Sequence, residues 1–318
     1  MRVLSLSRIW NDSLPQLLAP GVEFQGLDAA DGSAVWSELP AAEILISIDF
    51  TQEMAAAAKR LRLLICPAAG TEHIDRSALR PDIRFAHGSG HEIPMAEYVI
   101  GCLVALRQHL FAADAALRRG EWVFGYWGGA QVNEELAGSA LGLIGFGGIG
   151  RAVQRRARPF DIRCAAVTLH PEAAKNREHG LEFLGRIGDR SDVDRLVSWC
   201  DALVLCCELS DLTRGLLDAR RLALMKRDAL VVNVARGPVA DERALYEALK
   251  ERRIAGAALD VWYRYPPENA YPAGEPFWEL QNVIMTPHAS AWTEEAKQRR
   301  LREMARLINE FARTSARA

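Results

Sequence analysis

The sequence predicts an α/β protein built on two parallel sheets. Three observations carry that expectation. Short apolar runs alternate with helical patterns as far as about Thr286, one long helical pattern splits the alternation into two series, and the second series opens on a glycine-rich turn. Alternating strands and helices predict parallel sheets covered on both faces.

The elements follow in order. Val3 to Leu6, Ile44 to Ile48, Leu63 to Cys66 and Ile83 to Ala86 read as strands, with a helix from Gln52 to Arg60. They make a small α/β domain of roughly a hundred residues. From Ile93 to Arg119 one long helical pattern follows, with Tyr98, Leu103, Leu106, Leu110 and Leu117 among its apolar positions, which suits a bridge between domains. Glycines 120, 125, 128 and 129 punctuate its end. The second series has strands at Leu141 to Ile144, Cys164 to Thr168, Ala202 to Cys207, Leu230 to Val234, Ala255 to Leu259 and Val283 to Met285. Helices lie between them, with Ser191 and Asp241 as N-caps. Thr293 to Arg313 is an amphipathic, arginine-rich helix that must either pack on this domain or cross back to the first.

Composition narrows the function classes. The chain has 318 residues, 49% of them apolar, enough for two domains with real cores. A net charge of -2 with mixed signs gives no basic face for nucleic acid. The segment Met1 to Arg8 turns polar before a signal-type apolar region forms, and no apolar run approaches the ~20 residues of a spanning helix, so a cytoplasmic location is expected. The six cysteines lie mostly in apolar runs and read as core thiols of a reducing compartment. Cys200, Cys206 and Cys207 cluster without a second pair at metal-ligand spacing, so no metal is expected.

The segment Leu141 to Arg151 reads Leu-Gly-Leu-Ile-Gly-Phe-Gly-Gly-Ile-Gly-Arg. An apolar strand ends in Gly145, Gly147 and Gly150, and a helical pattern starts at once. In this G-x-G-x-x-G setting the first glycine allows a tight turn, the second lets backbone approach a pyrophosphate, and the third lets the helix pack closely. The phosphates would sit at the positive helix N-terminus, beside Gly148 and Ile149. Six strands with interposed helices, fingerprint first, predict a doubly wound, parallel-sheet (Rossmann) dinucleotide domain.

Three further stretches place polar side chains at strand ends. They are Arg236 in Val231-Val232-Asn233-Val234-Ala235-Arg236-Gly237, Asp260 in Ala257-Ala258-Leu259-Asp260-Val261-Trp262, and His288 in Thr286-Pro287-His288-Ala289. In an open α/β sheet, ligands bind outside the carboxyl ends of strands, so all three can reach one crevice. Read alone, His288 suits a surface or capping role, Arg236 a salt bridge and Asp260 a loop cap. His73, His87, His91 and His109 have no such context.

Taken with Ala69-Gly70-Thr71-Glu72-His73-Ile74-Asp75, Pro94-Met95-Ala96-Glu97 and Leu212-Thr213-Arg214-Gly215-Leu216, these motifs resemble the D-isomer-specific 2-hydroxyacid dehydrogenases, which include glyoxylate/hydroxypyruvate reductases. The resemblance spans nearly the whole chain. It implies a dinucleotide domain at 93–288 inserted into a smaller flavodoxin-like substrate domain at 1–92 and 289–318. It also implies hydride transfer between NAD(P)H and a small 2-keto or 2-hydroxy acid. By resemblance His288 is the acid/base, Arg236 grips the substrate's carboxylate and carbonyl, and backbone N–H groups at Ala69 and Gly70 hold the carboxylate. Cofactor contacts are expected at Gly145, Gly147, Gly148, Ile149, Gly150, Thr168, His170, Ala235 and Asp260, the last near the nicotinamide. Closure of the two domains around the substrate and a homodimer joined through the dinucleotide domain are further implications.

Two departures stand out. The family normally carries a glutamate five residues after the aspartate, paired with the histidine, and here that count lands on Tyr265. A phenol can hydrogen-bond an imidazole but cannot raise its pKa by charge. Either Tyr265 is a working partner of His288, or Glu268 reaches in, or catalysis is impaired; the first is the expectation. Formate dehydrogenases look similar in placing an uncharged residue there, so formate- or phosphite-like oxidation is one alternative, and a dinucleotide-binding interaction protein without turnover is another. The second departure is Val167-Thr168-Leu169-His170-Pro171, which has no acid where the ribose of NAD expects one. Thr168 and His170 could contact an added phosphate, although no arginine stands beside them in sequence. NADP over NAD is therefore expected. Trp127, Trp262, Tyr263 and Trp292 suit an aromatic-lined site, a core or a dimer interface equally.

Overall fold

A computed structural model describes residues 1–68, 70–123, 125–127, 132–173, 180–265 and 271–315. The chain divides into two compact units, Met1–His91 with Thr293–Ala318, and Glu92–Trp292. The sequence reading placed the breaks after residues 92 and 288.

The first unit holds a five-stranded sheet of β1 (Arg2–Ser5), β2 (Glu23–Gly26), β3 (Ile44–Ile46), β4 (Leu63–Cys66) and β5 (Arg84–His87). Every pairing is parallel and the order is β2-β1-β3-β4-β5, the flavodoxin-like arrangement. Strand β2 escaped the sequence reading because it is an edge strand of Glu-Phe-Gln-Gly, with one apolar side chain to betray it. The central strands are buried on both faces. Leu4, Leu45 and Leu64 pack with Leu39, Phe50 and Leu61 on one side. On the other, Val3, Ile44, Ile46, Leu63 and Ile65 meet Leu301, Met304, Ala305, Ile308 and Phe311 of the C-terminal helix Glu294–Ser315. Those helix positions recur at three- and four-residue spacing, which makes one apolar stripe. The helix therefore belongs to the first unit.

The second unit holds β6 (Ala140–Ile144), β7 (Arg163–Thr168), β8 (Leu184–Arg186), β9 (Ala202–Leu205), β10 (Leu230–Asn233), β11 (Gly256–Leu259) and β12 (Val283–Met285). All pair in parallel, in the order β12-β11-β10-β9-β6-β7-β8. The order reverses between β6 and β9, and such a switch point is where a doubly wound sheet opens a crevice at its carboxyl ends. Side chains alternate between two cores. Ile144, Val167, Leu203 and Val231 face one. Leu143, Ala166, Val204 and Val232 face the other, which is filled by Met95, Val99 and Leu103 of the helix Glu92–Arg107. Six strands were expected here and β8 makes a seventh; it is a three-residue edge strand too short to carry a pattern.

Two local expectations are corrected. The single helix of Ile93 to Arg119 is two, Glu92–Arg107 and Leu110–Arg118, set 56° apart. Between them His109 takes a left-handed conformation, φ +50°, which ends the first helix without a glycine or proline. The helix Arg190–Trp199 is capped by Asp189, whose carboxylate accepts from the N–H groups of Ser191 and Asp192, so Ser191 lies inside the first turn. Asp241 is an N-cap as expected, accepting from Ala244 N–H at 2.8 Å. Among the described residues no single helix is long and apolar enough to cross a membrane.

The glycine turn after β6 is enforced by close packing. A Cβ on Gly150 would stand 2.4 Å from the Gly145 carbonyl oxygen, and Gly145 itself has φ +105° against the Cys206 carbonyl. The helix Gly148–Ala157 can approach the strand only because both side chains are missing. Ile308 is fully buried under the first sheet, so Ile308→Ala should lower unfolding free energy by about 2–5 kcal/mol in urea denaturation. A loss well below 1 kcal/mol would show that the C-terminal helix does not cover this sheet.

Candidate active site

The candidate site lies at the carboxyl ends of the second sheet, and Gly147 stands in its first loop. A Cβ built there meets nothing within 4 Å, in contrast to Gly145 and Gly150 on either side. Gly147 is also the N-cap of the helix Gly148–Ala157, with no side-chain capping bond. The first-turn N–H groups of a helix have no intrahelical acceptor. Open space above an uncapped helix N-terminus is a cradle that fits a pyrophosphate. Gly147 and Gly148 are exposed and Ile149 is half-buried.

At the end of β10, the buried Asn233 folds back on its own loop. Its side chain accepts from Ala235 N–H at 3.0 Å and donates to the Arg236 carbonyl at 3.0 Å. Ala235 is thereby buried, while the half-buried Arg236 sets its guanidinium near its own chain, donating to the Ala235 carbonyl at 2.7 Å. Asn233 is a positioning group that the sequence reading quoted without a role; its signal is an amide at the end of a Leu-Val-Val strand.

His288 follows β12 in a left-handed conformation, φ +58°. For a side chain with a Cβ that costs about 1–2 kcal/mol, so the surroundings must impose it. Asp260, after β11, does so. It is fully buried, and its carboxylate accepts from Thr286 Oγ1 at 2.6 Å, Ala289 N–H at 2.7 Å and Ser290 N–H at 2.9 Å. Asp260 is a tie that grips the histidine loop on both sides of His288.

Tyr265 stands beside the histidine. Its hydroxyl lies 3.1 Å from His288 Nδ1 and accepts from Trp262 N–H at 2.8 Å. Burial pushes the phenol above its ordinary value, the Arg236 charge lowers it and the Asp260 charge raises it further. The hydroxyl therefore remains protonated and can act as donor or acceptor. It can give its proton to a neutral imidazole or accept from an imidazolium, whereas a carboxylate favours only the charged form. Tyr265 thus touches His288 and feels the charges of both Arg236 and Asp260. Trp262 belongs to the core, and its indole N–H holds the Thr286 carbonyl at 2.8 Å. Tyr263 stacks on Phe277 at 6.4 Å in the same core. Trp127 and Trp292 are exposed.

At the end of β7, Thr168 is half-buried and His170 exposed. An arginine stands beside them after all. Arg186 pairs in register with Thr168 across β7 and β8, donates to the Leu169 carbonyl at 2.9 Å, and binds Glu172 at 2.9 Å. Glu172 also lies 3.4 Å from His170 Nδ1. Because β8 was not legible, neither was this neighbour. Gly70 belongs to the first unit, on the loop leaving β4, where its carbonyl lies 3.6 Å from Cys66 Sγ. Ala69 and Glu268 lie outside the described residues.

Residues 100–290 match the family model described as D-isomer specific 2-hydroxyacid dehydrogenase, NAD binding domain. The chain is 34% identical over 250 residues to a D-3-phosphoglycerate dehydrogenase of Methanocaldococcus jannaschii, across 78% of this chain and only 45% of that relative's length. It is 32% identical over 257 residues to a glyoxylate reductase of Thermofilum pendens, across 80% of this chain and 73% of the relative. An acyclic imino acid reductase solved with NADPH and D-Arg shares the fold, with TM-score 0.82 and 24% identity over 99% of this chain and 98% of that one. The chain therefore belongs to the D-isomer specific 2-hydroxyacid dehydrogenase family, and residues 100–290 are its NAD-binding domain.

Proposed function

We propose that this chain interconverts a small 2-keto acid and its 2-hydroxy acid with a nicotinamide dinucleotide, glyoxylate and hydroxypyruvate being the first substrates to test. The observation that supports it is the His288–Tyr265 hydrogen bond of 3.1 Å within reach of the Arg236 charge. The bound nicotinamide would supply the hydride. Reduction leaves negative charge on the former keto oxygen, which needs a proton and a neighbouring cation. With Nδ1 engaged by Tyr265, the His288 proton for that oxygen is carried on Nε2. The Arg236 fork grips the carboxylate and the carbonyl together while staying charged.

For the cofactor we infer NADP. Arg186 and His170 converge on Glu172 at the end of β7, and a 2′-phosphate could take the place of that carboxylate. A panel of 2-keto acids, with formate and phosphite as oxidation substrates, read by nicotinamide absorbance with both cofactors tests the whole reading. Turnover on a keto acid with lower KM for NADPH is expected, and Arg236→Gln or His288→Gln should each cost about 10²–10⁴-fold in kcat/KM. Arg186→Gln should raise KM for NADPH alone. A strong NADH preference overturns the cofactor inference. Oxidation of formate or phosphite alone, or tight dinucleotide binding without turnover, overturns the substrate class.

The pH dependence follows from Tyr265. Reduction needs protonated His288, so its rate falls as pH rises through the imidazole pKa. A neutral phenol leaves that fall at lower pH than a glutamate would. Tyr265→Glu should move it upward by about 1–3 units, and an unchanged profile would count against Tyr265 as the working partner.

A homodimer joined through the dinucleotide domain is also proposed. Leu110, Phe111 and Leu117 of the helix Leu110–Arg118 are exposed, as are Trp122, Tyr126 and Trp127 after it, apolar side chains that a second copy would cover. Sedimentation should give twice the chain mass, and Phe111→Asp with Leu117→Asp should give the monomer. A wild-type monomer at micromolar concentration removes the proposal.

A further inference from the structure

The tie that Asp260 makes to the histidine loop has an outer member. Tyr98 lies on the helix Glu92–Arg107, and its hydroxyl meets Thr286 Oγ1 at 2.7 Å. Thr286 in turn donates to Asp260 Oδ1 at 2.6 Å. A hydroxyl carries one proton, so with that of Thr286 committed to the carboxylate, Tyr98 must be the donor of the first bond. Burial pushes the Tyr98 phenol far above its ordinary range, so it remains an O–H. The two protons run the same way, toward the carboxylate, and bonds in such a chain strengthen one another.

The packing of this helix does not require the hydroxyl. Met95, Val99, Cys102 and Leu103 are among its buried positions, and Tyr98 is only partly buried among the side chains packed on that core. A phenylalanine would fill the same space. The hydroxyl is informative because it ends on Thr286, two residues before His288, whose left-handed backbone must be imposed by its neighbours.

We propose that Tyr98 is a positioning residue for His288, acting through Thr286 to fix the Asp260 carboxylate and with it the histidine loop. Among the described residues, the polar groups near this loop include Tyr265, Asp260, Arg236 and Trp262 from beyond the strand ends, and Tyr98 and Cys102 from the helix. Burial pushes the Cys102 thiol up to about 11, so both helix groups are neutral. Asp260 is then the anion of the set and Arg236 the cation. The kinetic consequence rests on the reading of His288 as proton donor; the placement of the ring does not.

The test uses the full chain, labelled at its seven histidines, with the His288 ring signals assigned by loss in His288→Gln. Tyr98→Phe and Thr286→Val should each move the His288 ring signals while those of His73 and His170 stay. Because one acts through the other, the double variant should show no more than Thr286→Val alone, and Thr286→Ser should keep the parent signals. Asp260→Asn should lower the His288 titration midpoint, since an anion near an imidazolium raises it. On any keto acid the enzyme turns over, Tyr98→Phe should lower kcat about three- to tenfold with KM for the dinucleotide unchanged. Unmoved His288 signals in Tyr98→Phe, additive effects in the double variant, or equal movement of all the histidines would each overturn the proposal. Absence of keto acid turnover would defeat the functional reading and leave the ring measurement intact.

Discussion

Taking a carboxylate out of water costs several kcal/mol, and Asp260, with no exposed surface, must recover that from donors in the protein. All three donors come from one short segment, Thr286, Ala289 and Ser290. The solvation needs of a residue after β11 therefore dictate the backbone after β12, and His288 is carried in between. Trp262 secures the arrangement twice, holding the Thr286 carbonyl with its indole and the Tyr265 hydroxyl with its backbone N–H. Each of these groups holds another at hydrogen-bond distance, so a change at one is felt by its neighbours.

The parallel sheet makes such a cluster possible. Every strand of the second unit points the same way, so the loops after β6, β7, β10, β11 and β12 all leave at one end. Residues far apart in sequence then share a rim without any long excursion of the chain. The glycines of the first loop divide the labour. Gly145 and Gly150 exist for contacts within the protein, and Gly147 leaves space for something that is not protein.

Central elements were legible in the sequence and peripheral ones were not, for a physical reason. Strands such as β6, β9 and β10 are buried on both faces and must be continuously apolar, which any reading detects. Strands β2 and β8 lie at sheet edges and need no such run. The helix break at His109 depends on one left-handed residue with no glycine or proline to announce it. At the site, Arg236 and His288 were readable because an isolated polar residue after an apolar run signals a strand end, and Tyr265 because a family pattern predicts an acid there. Arg186, Tyr98 and the burial of Asp260 depend on neighbours across the sheet or on a helix far away in sequence. Asp260 shows the limit clearly: its position after a strand is legible, and its three donors from the next loop are not.

The left-handed backbone of His288 carries a conformational cost. Glycine would occupy this point of the loop without steric conflict, relieving roughly 1–2 kcal/mol. Selection for thermostability alone would thus favour discarding the imidazole. A lineage that keeps histidine here is holding an energetically uphill residue in place, and drift at this codon would give a sturdier protein without an imidazole at this point of the loop.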